Sequence, residues 1–289
     1  KKFTEMQDDS EVTAGFMWQK TTRESKKYQL RGEILSFIPV DKNVEIMLVT
    51  ITNTGRMAQT VTPTAAIPLY GRSADNIRDH RHVTSLLHRI ETTDIGVLVT
   101  PTLSFDERGH QVNHMTYYCV GWSGNGEKPV DFYPTAEDFV GEGGNFERPY
   151  AIVKNAEGVK AGTRIEGLEA VGGLHFSEVT LEPEEECSYL IFTGITEDIQ
   201  EIRNLSKTYT TREMVLEELE KTKAYWQEKV NVAYHTGDSD FNQFMHWVSF
   251  QPILRRIYGC SFLPHHDYGK GGRGWRDLWP VSYTHLRAH

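Results

Sequence analysis

Over its first two thirds the chain is patterned in short apolar stretches separated by turn residues; beyond about residue 205 apolar positions recur at three- and four-residue steps. Runs at 28–37, 44–54, 95–103, 115–122, 174–181 and 189–194 are rich in β-branched and aromatic residues and are bounded by Gly, Pro, Asn or Asp, which predicts strands. The run at 44–54 alternates imperfectly: Val44, Ile46, Leu48 and Thr50 are interleaved with Glu45, Met47 and Val49. Glu184-Glu185-Glu186 reads as a hairpin tip. So many short strands with few helices between them predict a large antiparallel sandwich, not a parallel sheet.

In the last third, Thr210 and Glu213 stand at capping-box spacing, with Tyr209 and Met214 as a hydrophobic staple. Leu216, Leu219, Lys223, Trp226 and Val230 then fall on one helical face, predicting a helix over 211–229. A second helix is expected from 238 to about 258, with Phe241, Phe244, Met245, Val248, Ile253 and Leu254 for burial and Pro252 as a kink or break. No internal repeat or low-complexity tract interrupts this order.

Composition narrows the classes. The 289 residues carry a formal charge of -9 without a clustered basic stretch, which argues against nucleic acid and anionic membrane as partners. Hydrophobic content of 38% supports a sizeable core, and no apolar run approaches the roughly 18–20 residues of a membrane span. Cys119, Cys187 and Cys260 are widely spaced and odd in number, which suits free thiols in a reducing, cytoplasmic setting better than a disulfide framework.

The densest polar and aromatic stretch is 264–279, Pro-His-His-Asp-Tyr-Gly-Lys-Gly-Gly-Arg-Gly-Trp-Arg-Asp-Leu-Trp. Sugar sites draw on this inventory: aromatic faces stack on pyranose rings, Arg and Asp bracket hydroxyls, and glycines admit close approach. Other readings stand beside it. A phosphate cradle lacks the Walker arrangement of its Lys. His265, His266 and Asp267 lack the spacing of a helical zinc site. A structured loop with internally paired charges is the plainest alternative. A second polar cluster, 70–82, reads as a loop facing a ligand or partner, or as a solvated loop with ion pairs of little value. The glycines of 138–145 read as shaping a tight turn instead of a phosphate loop, because no convincing helix follows. No carboxylate pair in the sandwich stands out as a glycosidase dyad.

Gly274-Trp275-Arg276-Asp277 resembles the Gly-Phe-Arg-Asp block at the start of the catalytic barrel in glycoside hydrolase family 94, which contains cellobiose phosphorylase and its relatives. The resemblance takes in Thr52-Asn53 at a strand end, the turn of Phe139, Gly141 and Gly143 with Pro149 after it, and Leu181, Pro183 and Glu185 leading to Phe192 and Gly194. It continues through Tyr225-Trp226 and Trp247-Val248-Ser249-Phe250-Gln251. The segment 263–269 looks most like the branch of cellobiose-phosphorylase-like and 1,2-β-oligoglucan phosphorylases.

The resemblance implies a mainly β fold. A large antiparallel β super-sandwich would occupy 1–205, a helical linker 206–234, and the first helices of a truncated (α/α)6 barrel 235–280. It implies an inverting phosphorylase that cleaves a β-linked gluco-oligosaccharide with inorganic phosphate to give α-glucose 1-phosphate. No cofactor is needed, and phosphate as nucleophile leaves the protein to supply one carboxylic acid. Asp277 matches the family Asp that hydrogen-bonds glucose in subsite -1, with Trp275 and Arg276 in the same block. Where the family has a further Arg upstream, this chain has Lys270 and Gly271, with Arg273 nearby. The family's general acid lies in an Asp-Trp-Asn-Asp type motif that this chain does not contain, so the chain is expected to be inactive alone. A homodimer is implied by family analogy. The competing readings are a non-catalytic carbohydrate-binding sandwich and a hydrolase of similar architecture with a second carboxylate.

The last nine residues, 281–289, are what one reading frame of a common transposase sequencing adaptor encodes. They are therefore expected to be foreign, with Pro280 at the junction and the natural stretch ending inside its glucose-binding motif. His285 and His289 are accordingly not site residues, and the lack of Met at position 1 suggests a missing start. Without their helical neighbours, the helices over 238–279 are expected to pack poorly beside a folded sandwich.

Overall fold

The computed structural model describes residues 8–71, 84–106 and 109–258. Its centre is a nine-stranded antiparallel sheet. Four strands lead from one edge: β1 (Asp9–Gly15), β2 (Trp18–Ser25), β3 (Leu30–Phe37) and β4 (Val44–Asn53). Next come β16 (Glu186–Thr196), β11 (Thr116–Ser123), β8 (Gly96–Val99), β7 (Arg89–Thr92) and, at the far edge, β13 (Arg164–Glu166). A smaller sheet of β12 (Asp131–Thr135), β14 (Ala170–His175) and β6 (Thr64–Leu69) covers one face. Two short ribbons complete the β structure, β15 (Val179–Leu181) with β5 (Gln59–Val61) and β10 (Gly109–Val112) with β9 (Leu103–Asp106).

Each face of the large sheet has its own core. Val97, Val99, Cys119, Tyr189 and Ile191 meet Leu69, Phe132 and Leu174 of the small sheet. Ile46, Leu48, Leu98, Val120, Trp122, Leu190 and Phe192 point the other way, toward α3 (Ile199–Thr208) and α4 (Arg212–Lys229). Burial on both sides explains the imperfect alternation at 44–54, since each face of that strand needs apolar side chains. Trp122 stacks on Phe192 at 4.7 Å, Phe192 on Tyr209 at 5.6 Å, and the Trp122 indole N–H donates to the Tyr209 carbonyl at 2.9 Å. Each aromatic pair adds about 0.5–1.5 kcal/mol beyond area burial. The two layers approach closely at Gly172, where a Cβ would stand 2.2 Å from that of Cys119.

Several expected strands are shorter than the runs that suggested them. The run at 95–103 breaks between β8 and β9, around Pro101, which has no N–H for a ladder. The run at 174–181 divides because β14 belongs to the small sheet and β15 to a ribbon with β5. Glu184 is not a hairpin tip. It sits in a turn, at φ 66°, but the strands it joins pair with β5 and β4 and not with each other.

The helices start from identifiable caps. The Asp198 carboxylate accepts from the Gln200 N–H at 2.8 Å to open α3, whose Ile202 and Leu205 are buried on the sheet. The division expected at 205/206 falls within this helix. The expected box from Thr210 does not form: Thr211 holds the cap position of α4, and the Thr210 hydroxyl donates to Met214 Sδ. Tyr209, buried at the end of α3, leaves only a tight turn before α4. The buried stripe of α4 is accordingly Val215, Leu219, Thr222 and Trp226, with Leu216 on its flank.

One more helix, α5 (Ser239–Tyr258), opens on Asp238, whose carboxylate accepts from the N–H groups of Asp240 and Phe241. It continues through position 252 without a break. Phe250 is buried in a small cluster with Trp226 and Val230, and Phe16 and Met17 reach it from the β1–β2 turn. Phe241, Phe244 and Trp247 of the same helix are exposed. No helix among the described residues is long and apolar enough to cross a membrane.

Candidate functional site

The residues expected to hold sugar, Arg273, Trp275, Arg276 and Asp277, lie outside the described residues, as do the rest of 264–279, Cys260, and 72–82 of the second polar cluster. Within the described residues a concave site lies at the end of the small sheet. It is built by two short helices, α1 (Ala136–Val140) and α2 (Tyr150–Lys154), which follow β12.

Thr135 ends β12 and caps α1. Its Oγ1 accepts from the Asp138 N–H at 3.0 Å and donates to the Asp138 carboxylate at 2.6 Å. The helix buries Phe139 against Tyr133, with ring centroids 5.8 Å apart, and beside Ala151 of α2. It stops at Gly141, whose φ of 77° suits glycine and whose missing side chain admits Tyr150: a Cβ there would stand 2.7 Å from that of Tyr150. The following glycines shape a turn, with the Gly144 N–H donating to the Gly141 carbonyl, as expected for 138–145. A helix does follow, contrary to the sequence reading, but Pro149 at its cap position has no N–H to offer a phosphate. On the opposite wall the Tyr133 hydroxyl donates to the Ala156 carbonyl at 2.6 Å, fixing the loop that carries Glu157.

The resulting cleft has a volume of about 330 Å³ and is lined by Tyr133, Glu137, Asp138, Glu142, Tyr150 and Glu157 among others. Among the described residues no Lys, Arg or His lines it. Behind the loop, His175 Nδ1 is 2.7 Å from the buried Asp131 carboxylate, and Lys160 approaches the other carboxylate oxygen at 4.0 Å.

Other reactive groups are poorly placed for chemistry. Complete burial pushes the Cys119 thiol up to about 12, and burial raises that of Cys187 as well, so neither offers a thiolate near neutral pH. Desolvation lowers the pKa of His88, which is 2% exposed and has Nδ1 at 3.1 Å from the Leu168 carbonyl. Among the described residues no three His, Cys, Asp or Glu side chains converge on a metal position.

The sequence reading of 138–145 favours a tight turn over a phosphate loop and does not single out Tyr150 or Glu157. The fold brings them to Asp138 across 12 and 19 positions of chain, and no periodicity marks such a gathering. The one available signal was the Thr-x-x-Asp cap at 135–138.

No curated protein matches the chain. A solved polysaccharide lyase aligns with it at 11% identity and a TM-score of 0.34, over 67% of this chain; the chain spans 23% of the length of that lyase. The family comparison is of a different order: residues 4–212, from before β1 to the first residue of α4, match the family model described as glycosyl hydrolase 94, supersandwich domain. The chain therefore belongs to the glycosyl hydrolase 94 family, with its large antiparallel sheet and α3 inside the supersandwich domain of that family.

Proposed function

We propose that the protein to which this chain belongs is an inverting β-glucoside phosphorylase, which converts a β-linked gluco-oligosaccharide and inorganic phosphate into α-glucose 1-phosphate and a shortened sugar. The observation that carries the reading is the supersandwich match over 4–212 followed, in order, by helices and by Gly274-Trp275-Arg276-Asp277. Phosphate is the nucleophile in this chemistry, so one carboxylic acid to protonate the leaving oxygen suffices. Asp277 is proposed to hydrogen-bond glucose in subsite -1, with Arg276, Arg273 and Trp275 beside it. The chain contains no Asp-Trp-Asn-Asp motif to supply the acid, and is proposed to be inactive by itself.

The test is to express the full-length protein to which this chain belongs and follow sugar release with and without phosphate. Phosphate-dependent formation of α-glucose 1-phosphate supports the reading. Release of glucose at the same rate without phosphate refutes it.

A further inference from the structure

We propose that the cleft between α1, α2 and the Glu157 loop is a binding site for a short stretch of neutral β-linked glucan. The sugar class rests on the phosphorylase reading; the cleft itself rests on its own geometry.

Three features of the cleft select the ligand. The first is shape: a concavity of about 330 Å³ has the scale of a small-molecule site. At its base Gly158 packs directly against β12, where a Cβ would stand 2.5 Å from the Asp131 carboxylate. The second is an aromatic wall. Tyr150 lines the cleft yet remains 52% exposed, its Cβ packed where Gly141 has no side chain, so its ring is accessible to the C–H face of a pyranose.

The third is the polar inventory. Glu137, Glu142 and Glu157 have no ion-pair partner among the described residues, and only carboxylates supply charge to the lining. An anion such as phosphate is therefore repelled. A compact metal site is disfavoured too, because no three acidic or His side chains come close enough to share an ion. Separated carboxylates beside an aromatic ring suit a ligand with many spaced O–H donors and no charge, where each hydroxyl makes a charge-assisted hydrogen bond. A sugar chain has that distribution.

The experiment measures binding of 1,2-β-linked glucopentaose and of cellopentaose to the 289-residue chain by calorimetry, with Tyr150→Ala, Tyr150→Phe and Glu157→Gln as variants. Tyr150→Ala is expected to weaken binding roughly tenfold or more, Tyr150→Phe to retain it, and Glu157→Gln to weaken it roughly three- to tenfold. Tyr150 is half exposed, so an unchanged urea midpoint in each variant separates lost contact from lost folding. Binding that all three variants leave untouched overturns the proposal, as does binding of neither sugar. Binding of calcium or of a Lys-rich peptide in place of sugar also overturns it. Phosphorolysis by the longer protein without sugar binding here removes only the cleft. Sugar binding through Tyr150 in a protein without phosphorolysis removes only the phosphorylase reading.

Discussion

Replacing Phe250 with Ala should release α5 while leaving the sandwich folded. Phe250 is 1% exposed and packs on Phe16 at 4.7 Å, Trp226 at 5.2 Å and Trp247 at 5.6 Å. Truncating a buried Phe to Ala costs about 3–5 kcal/mol, which includes the cavity left behind. Phe250 is the one buried residue of this helix among those described, with Phe241, Phe244 and Trp247 exposed. The remaining ties are partly exposed, chiefly His246, which meets Phe16 at 4.8 Å and has Nε2 3.1 Å from the Val230 carbonyl. An isolated helix of this length is marginal in water, so the loss falls on α5 itself. At about 1.4 kcal/mol per factor of ten, amide exchange in α5 should accelerate by about a hundredfold or more. The assay is hydrogen exchange read by mass spectrometry, comparing peptides from 239–258 with peptides from 186–196. Equal acceleration in both would show that α5 and the sandwich unfold as one unit; no acceleration in α5 would show that it is held by something else. Either result refutes the reasoning.

His175→Ala should destabilise the sandwich by about 3 kcal/mol, because it strips the partner at 2.7 Å from a buried Asp131 carboxylate. An unchanged urea midpoint would contradict this. Gly172→Ala should cost about 1–3 kcal/mol by forcing a Cβ to within 2.2 Å of that of Cys119, and a Cys119→Gly partner should recover part of the loss in a double-mutant cycle. Alkaline pH should weaken the fold through Cys119 and Tyr118, whose pKa values burial pushes up to about 12 in each case. The unfolded thiol and phenol ionise near 9.0 and 10.0, so above pH 9 the unfolded state binds fewer protons and stability falls as pH rises toward 12. Urea midpoints measured from pH 8 to 11 should show the decline, and Cys119→Ala should flatten its lower part. At pH 8, Cys187 should react with iodoacetamide well before the fully buried Cys119.

The sequence disclosed the fold where one physical rule dominates. Strands β3, β4, β11 and β16 were legible because each is long and rich in β-branched or aromatic residues, and α5 because Asp238 marks its start. Strands β1 and β2 escaped notice because at the sheet edge they bury little: β1 is exposed along almost its whole length. Helix α3 was missed although Asp198 and Glu201 stand at capping-box spacing, because its apolar face has only Ile199, Ile202 and Leu205 to mark it. The start of α4 lies within a residue of its expected place, and Leu219, Trp226 and Val230 are buried as expected, while Val215 and Thr222 take the buried positions expected of Leu216 and Lys223. Steps of three and four residues both return near the same face at about 100° per residue, so the period alone does not choose between neighbours such as 215 and 216. The cleft was the least legible feature. Its carboxylates are ordinary surface residues in the sequence, and long-range bonds bring the Glu157 loop opposite α1: the Tyr133 hydroxyl to the Ala156 carbonyl and the backbone bridge of Val159 with Phe132.

The double burial of β16 and β11 also bears on how the sheet finds its alignment. Shifting one strand by a single residue exchanges its two faces, and in most sheets that exposes the error by burying polar groups. Here Tyr189 and Ile191 would simply trade places with Leu190 and Phe192, and greasiness alone would not object. Shape would. Tyr118 stands opposite Gly194, and its hydroxyl would lie 2.4 Å from any Cβ at that position; Ile191 reaches to 2.7 Å of one at Gly121. These glycines act as notches that only one alignment fills. Correct pairing is therefore recognised by fit and not by oiliness, and only once the strands are close enough for side chains to interlock. Conservative apolar exchanges in this sheet should be forgiven, while filling a notch should cost the protein its means of telling one alignment from the next.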